Sequence, residues 1–179
     1  NRQSKSSPYK FDLTAKNEGL EVPGKVQYVV KGYNLDKSDS PLDGSALVLE
    51  NILNTGYLYP EIRFKGGAYG AGSIISPYSN NVLFYSFRDP NLTETLSTYD
   101  NAANFIKNLK LTDSQMSDYI ISTVAGLDYP ENVSSQGIGA DSDYMSGITQ
   151  DDIQKVRDEV LKTTPQDIQN YAPMIDSIM

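Results

Sequence analysis

The sequence predicts an α+β domain of two layers, in which helices cover one face of a mostly antiparallel sheet. The first half combines strand-like segments with one helix, and everything after Phe87 has helical patterning. Strands followed by a run of helices are typical of this architecture. The chain has 179 residues, 39% of them apolar, which suits one domain with one core. We expect residues 1–16 to be a disordered segment or linker and residues 17–179 to form the domain.

Three segments of the first half have the alternation and β-forming residues of strands. Lys25–Tyr33 alternates apolar and polar residues, and Ala68–Ser76 and Asn81–Phe87 flank the turn sequence "PYSNN". Two strands joined by so short a turn form an antiparallel hairpin.

A helix is expected between the first strand and the hairpin. Ser40 would be its N-cap, Pro41 would take the first helical position, and Asp43 would complete a capping box. Gly56 is expected to end it, and Pro60 then permits a short second helical piece through Arg63.

The second half carries a helix-start pattern before each apolar run. Asn91 is expected to cap the first helix, and residues 129–146 to hold an irregular one. Three further starts have capping-box residues: Thr112 with Gln115, Thr149 with Asp152, and Thr164 with Asp167.

Composition excludes several classes of function. The net charge is −8, which argues against binding to nucleic acid or to an anionic membrane surface. The chain has no cysteine and no histidine. Disulfides, thiol chemistry, Ser-His-Asp triads and histidine-ligated metal sites are therefore impossible.

The glycine-rich stretch "EIRFKGGAYGAGSIIS", from Glu61 to Ser76, invites comparison with phosphate-binding loops. A dinucleotide fingerprint fails because Ile75 stands where the third glycine belongs, and a P-loop fails because no lysine follows Gly72. The stretch is also expected to open a strand and not a helix. Two interpretations of the stretch remain. It is a bend where only glycine fits, or a place where another backbone passes closely.

Two other candidate sites favour structural explanations. Asp141–Gly147 has a faint likeness to a calcium loop, but Met145 and Ser146 occupy positions that need an oxygen ligand and a glycine. In "YSFRDPNL", Arg88 and Asp89 are expected to pair at the junction between a strand and a helix.

Four segments together resemble one family of peptidases. They are "NEGLEVPGKVQYVVKGYNL", "LYPEIRFKGGAYGAGS", "FYSFRDPNLTETLSTYDNAANFI" and "IISTVAGLDYP". In this order they are similar to the last domain of presequence-protease and falcilysin-like zinc peptidases, within the pitrilysin/insulinase superfamily. The resemblance covers most of the chain, from about Asn17 to Ala172.

The resemblance implies four related α+β domains in two halves that close around an unfolded peptide. Zinc would sit in the first domain on an inverted H-x-x-E-H motif, so this histidine-free chain resembles the fourth domain and would bind no metal itself. The partners implied are peptide substrates and the other domains of the same polypeptide, with no nucleic acid and no membrane. The acidic, cysteine-free composition suits a bacterial cytosol, although organellar relatives exist.

The resemblance also implies roles for residues of the glycine-rich stretch. Members of the family bring an arginine and a tyrosine from the C-terminal half to the closed active site, and the matching positions are Arg63 and Tyr69. Substrate backbone would then pass beside four small residues: Gly66, Gly67, Ala68 and Gly70.

Two alternatives to a peptidase domain stay open at this point. Members of the superfamily without the zinc motif serve as non-catalytic peptide-binding or scaffold subunits. The second alternative is a domain that has its own carboxylate-based catalysis. No pair of carboxylates in this sequence has a spacing that requires such catalysis.

Overall fold

The computed structural model describes residues 17–35 and 42–179. The elements in order are β1 Gln27–Asn34, α1 Ser45–Leu53, a π-helical segment Asn54–Lys65, β2 Gly70–Ser76, β3 Asn81–Asp89, α2 Thr93–Asp100, α3 Ala102–Lys107, α4 Asp113–Leu127, α5 Val133–Ser146, α6 Gln150–Lys162, α7 Pro165–Asn170 and α8 Ala172–Ile178. The predicted α+β class is confirmed, and the linker predicted for residues 1–16 lies outside the described residues.

The three strands form one antiparallel sheet in the order β1-β3-β2. The register places Val30 and Gly72 on either side of Tyr85, and Tyr28 and Gly70 on either side of Phe87. The predicted hairpin is therefore confirmed, with β3 as the central strand.

One face of the sheet is buried beneath the helices. Val82, Phe84 and Ser86 alternate inward along β3, as expected for a half-buried strand. Phe84 meets Tyr99 of α2 edge to face, with ring centroids 5.6 Å apart. The Tyr99 hydroxyl donates a hydrogen bond to the carbonyl of Val29, which joins α2 to β1.

Side chains from the preceding helix cover the outer edge of β2. The amide of Asn54 brackets Ser73, accepting from its backbone N–H at 2.5 Å and donating to its carbonyl at 3.2 Å. The carboxylate of Glu50 accepts the N–H of Ile75 at 2.8 Å. An edge strand with unpaired backbone groups invites pairing with other chains, and these contacts close the edge at both residues.

The predicted limits of the first helix are wrong at both ends. It begins at Ser45, where the Asp43 carboxylate accepts the Ser45 N–H, and the predicted cap and first residue, Ser40 and Pro41, lie outside the described residues. Gly56 does not end it. The backbone continues without a break as the π segment, because Leu58 and Ile62 bury one side of that segment in the core.

The later helices agree more closely with expectation. All three predicted capping boxes are present, at Thr112, Thr149 and Thr164. The irregular helix expected over residues 129–146 is the regular helix α5, which ends at Gly147 in the left-handed conformation.

Candidate functional site

The π segment brings Arg63 onto the same side as Tyr59, one turn earlier. The guanidinium carbon of Arg63 lies 4.9 Å from the centroid of the Tyr59 ring, within cation–π range. Tyr57 anchors the π segment to the neighbouring helices. Its ring stacks on Phe105, with ring centroids 4.7 Å apart, and its hydroxyl donates a hydrogen bond to the carbonyl of Thr98. Burial, helped by the nearby Glu61 carboxylate, raises the pKa of Tyr57 to about 12, so this anchor stays uncharged at neutral pH.

The glycines that follow let the chain fold back tightly after the π segment. Gly66 donates to the carbonyl of Glu61, and Gly67, at φ +81°, donates to that of Arg63. A Cβ on Gly66 would lie 2.6 Å from the carbonyl oxygen of Ile62, closer than side chains tolerate. The amide of Asn91 donates to the Gly66 carbonyl at 2.5 Å, which ties this turn to the end of β3.

The sequence led us to expect Asn91 as a helix cap, but α2 starts without a side-chain cap.

Tyr69 stands immediately after this turn with 58% of its surface exposed. Its ring centroid lies 5.7 Å from the guanidinium carbon of Arg63 and 5.2 Å from that of Arg88. Phe87 packs beside it, with ring centroids 5.6 Å apart. The two residues matched to the family's arginine and tyrosine are thus neighbours on an open surface.

The four small residues expected to line a substrate differ in their surroundings. Gly67 is exposed and Gly66 half-buried, while Ala68 belongs to the core. Gly70 is covered by an aromatic ring, since a Cβ there would lie 2.3 Å from Phe87.

Arg88 does not pair with Asp89, and that prediction is wrong. The buried Asp89 carboxylate instead accepts hydrogen bonds from the hydroxyls of Ser86 and Thr95, at 2.6 and 2.7 Å, and from the N–H of Asn91 at 2.8 Å. The Arg88 side chain lies on the other side of the strand, over Tyr69.

The outer face of the sheet continues this surface as an aromatic platform. Tyr85 and Phe87 stack with centroids 6.5 Å apart, and glycines opposite them on β2 leave room for both rings. A cleft of about 310 Å³ opens at one side, and it is lined by Asn54, Thr55, Tyr59, Ala71, Gly72 and Tyr85. Sequence reasoning missed these aromatic residues, although the alternation of Tyr85 and Phe87 with buried neighbours was visible in "LFYSF".

The surface holds no visible means of binding a metal. The sequence lacks histidine and cysteine, and residues 17–35 and 42–179 contain no group of three or more acidic side chains placed around one point. The residues that the structure describes therefore do not fit a zinc centre. In the same described part of the chain, every helix is too short or too polar to cross a bilayer.

One family model matches most of the chain. The family model described as the PreP C-terminal domain matches residues 17–179, which include the turn, both arginines and the platform. The chain belongs to this family. The predicted resemblance to the last domain of presequence-protease-like peptidases is thereby confirmed.

Similar proteins include bacterial and organellar members. The chain is 37% identical over its whole length to Protein HypA of Clostridium perfringens, of which it covers 18%. It is 31% identical to Presequence protease 1, chloroplastic/mitochondrial, of Arabidopsis thaliana, a match that takes in 93% of this chain and 15% of that protein. A mitochondrial presequence protease of Emericella nidulans is 34% identical, over 93% of this chain and 16% of that protein. The chain thus spans less than one fifth of these relatives.

A solved structure shares the fold. A protease from Helicobacter pylori superposes with a TM-score of 0.62 at 17% identity, over 86% of this chain and 39% of that one. At this identity the likeness concerns the fold alone.

Proposed function

We propose that the chain is the C-terminal domain of a zinc metalloendopeptidase that degrades unfolded oligopeptides in a closed chamber. In this proposal the domain supplies Arg63 and Tyr69 to a catalytic centre carried by another domain of the same polypeptide. The observation that carries it is the placement of both side chains on one exposed surface, 5.7 Å apart from guanidinium carbon to ring centroid. Membership in a family with presequence proteases supports it.

Tyr69 would act as a hydrogen-bond donor to the reacting carbonyl. When a peptide bond is hydrolysed, negative charge develops on the carbonyl oxygen, and a preorganised donor stabilises it most in a site that excludes water. Phe87 and two cations lie beside the Tyr69 ring, and in this proposal they would limit the directions that its hydroxyl can take before substrate arrives. Zinc, bound outside this chain, would supply the activated water.

Arg63 would hold the peptide in register. Its guanidinium has no hydrogen-bond or ion-pair partner among residues 17–35 and 42–179, so its donors remain available. A planar guanidinium binds a carbonyl or carboxylate in a fixed orientation.

The aromatic platform suits an unfolded peptide as substrate. Tyr28 and Val30 on β1 are 71% and 58% exposed, and they lie beside Phe87 and Tyr85 on the same face. Exposed apolar surface next to polar donors accommodates varied side chains while the donors bind the backbone. We place the protein in a bacterial cytosol. Its acidic, cysteine-free composition supports this, as does its 37% sequence identity to the Clostridium perfringens protein.

The test is Tyr69→Phe in the full-length protein that carries this domain. Loss of one oxyanion donor lowers turnover by about 10²–10³, and removing a single exposed hydroxyl should leave the melting temperature unchanged. Tyr144→Phe is the matched control, because Tyr144 is 87% exposed on α5 and outside the proposed site. Wild-type peptide turnover in Tyr69→Phe would remove Tyr69 from the mechanism.

A further inference from the structure

Two residues other than glycine adopt positive φ in the described part of the chain, Asn80 at 53° and Arg88 at 48°. Asn80 has an ordinary explanation. Asparagine tolerates this left-handed region better than most residues. Its side chain is buried, and its amide oxygen accepts the backbone N–H of Leu42.

Arg88 is the extra residue of a β-bulge, since its neighbours Phe87 and Asp89 pair with the consecutive residues Tyr28 and Gln27 of β1. Arginine gains nothing locally from a left-handed backbone, and glycine would adopt it without strain. The side chain is exposed, and its guanidinium has no hydrogen-bond or ion-pair partner among residues 17–35 and 42–179. Its one described contact is the ring of Tyr69, 5.2 Å from guanidinium carbon to centroid.

The surrounding structure holds Arg88 in this conformation from both sides. Asp89 is fully buried and fixed by its three hydrogen bonds to Ser86, Asn91 and Thr95. The Arg88 carbonyl accepts the N–H of Tyr69 at 3.4 Å, so the two residues are joined through the backbone as well as through their side chains. The left-handed backbone at Arg88 therefore places its cation beside Tyr69, a ring that Arg63 also contacts.

We propose that Arg88 is a positioning residue for Tyr69. Its guanidinium attracts the face of the ring and restricts the Tyr69 side chain to the rotamer that presents its hydroxyl to substrate. This inference rests on the proposed donor role of Tyr69. It assigns to Arg88 a part in turnover through Tyr69, and no contact with the reacting atoms.

The first test replaces Arg88 with glycine in the full-length protein. Arg88→Gly removes the cation at a position where glycine fits the backbone, so the melting temperature should not fall. Turnover should fall, because a misplaced donor costs catalysis more than binding: we expect kcat about tenfold lower and KM changed less than about threefold. Arg88→Lys keeps the positive charge and should restore most of kcat.

Asn80→Gly is the matched control at the other left-handed residue. It makes the same backbone change in the turn before β3, at the other end of that strand from Arg88, and it removes a buried hydrogen bond. It should lower the melting temperature and leave kcat unchanged. The reverse pattern, with Arg88→Gly unstable and fully active, would make Arg88 a structural residue and overturn the proposal.

The deciding measurement is a double-mutant cycle with Tyr69→Phe. If Arg88 acts by directing the Tyr69 hydroxyl, Arg88→Gly has no further effect on kcat once that hydroxyl is gone. If the two losses multiply, Arg88 acts independently of Tyr69 and the proposal is wrong. A slow Tyr69→Phe enzyme beside a fully active Arg88→Gly enzyme overturns this inference alone. Wild-type turnover in Tyr69→Phe overturns the proposed function and this inference together.

Discussion

Gly66 shows, at the scale of one residue, why the turn before Tyr69 requires glycine. Any Cβ there would press against the Ile62 carbonyl, which belongs to the backbone of the π segment and cannot move aside as a side chain could. The consequence reaches the site, because Gly66 also accepts the hydrogen bond from Asn91 that ties the turn to β3.

We therefore predict that Gly66→Ala destabilises the chain by about 1–3 kcal/mol, the usual cost of forcing extra atoms into a filled space. Thermal unfolding followed by circular dichroism measures it. Gly126→Ala is the control, because a Cβ on this glycine of α4 would meet nothing within 4 Å. That substitution should be neutral or slightly stabilising, as alanine favours helices. Equal melting temperatures for the two variants would contradict the steric argument.

Asp89 is the joint between two elements, β3 and α2. Its buried carboxylate is the common acceptor for the hydroxyls of Ser86 and Thr95, both of which are also buried. We predict that Asp89→Ala costs about 3 kcal/mol, because two buried donors lose their acceptor. Urea denaturation gives the value. Asp118→Ala, at an exposed position on α4, should stay within about 0.5 kcal/mol of the parent chain, and a similar loss in both would refute the assignment.

Glu50 joins α1 to β2 and makes that junction sensitive to pH. Burial raises the pKa of its carboxyl above the ordinary 4.5, against the opposing effect of the hydrogen bond from Ile75. The folded state therefore binds the proton more tightly than the unfolded state does. The stability from protonation is complete below about pH 4.5 and is lost as pH rises through the raised pKa of the folded state.

It follows that Glu50→Gln should stabilise the chain at pH 7. Glutamine can still accept the Ile75 N–H through its carbonyl oxygen, and it carries no charge to desolvate. The gain should shrink as pH falls from the raised pKa of the folded state toward about 4.5, and it should vanish below that pH, where Glu50 is protonated in both states. Chemical denaturation at pH 4 and pH 7 makes the comparison. A destabilised variant at pH 7 would show that the charge of Glu50 is favourable in the fold.

Across the whole molecule, sequence reasoning succeeded where local chemistry decides the structure. The capping boxes at Thr112, Thr149 and Thr164 formed as expected because each needs only residues three apart. The π segment was not predictable in this way. A helical piece through Arg63 was expected and is part of this segment, but Gly56 is a local stop signal that was overridden by long-range packing.

The site was predictable only in part for a related reason. Arg63 and Tyr69 came from the family resemblance, since no spacing in the sequence marks them as neighbours. Arg88 was expected to pair with Asp89, the acid next to it, whereas successive side chains of a strand point to opposite faces and the Asp89 carboxylate is bound in the core. A positive φ at arginine has no local sequence signal.

Helix α5 is the part of the molecule held least by the core. It contains no buried residue, whereas Ala46, Leu49 and Ile52 are among the six buried residues of α1. An isolated helix of this length is marginal in water, and α5 also carries Gly137 and Gly139 in its interior. Opening α5 exposes no core, so it should open independently of global unfolding.

We predict that in the 179-residue chain the amides of α5 exchange with deuterium well before those of α1. Native-state exchange resolved by NMR or mass spectrometry measures both helices at once. The double substitution Gly137→Ala and Gly139→Ala should slow exchange in α5, because a Cβ meets nothing within 4 Å at either position. It should leave the global melting temperature unchanged, since that helix melts separately. Protection of α5 equal to that of α1 would mean that the helix is coupled to the core after all.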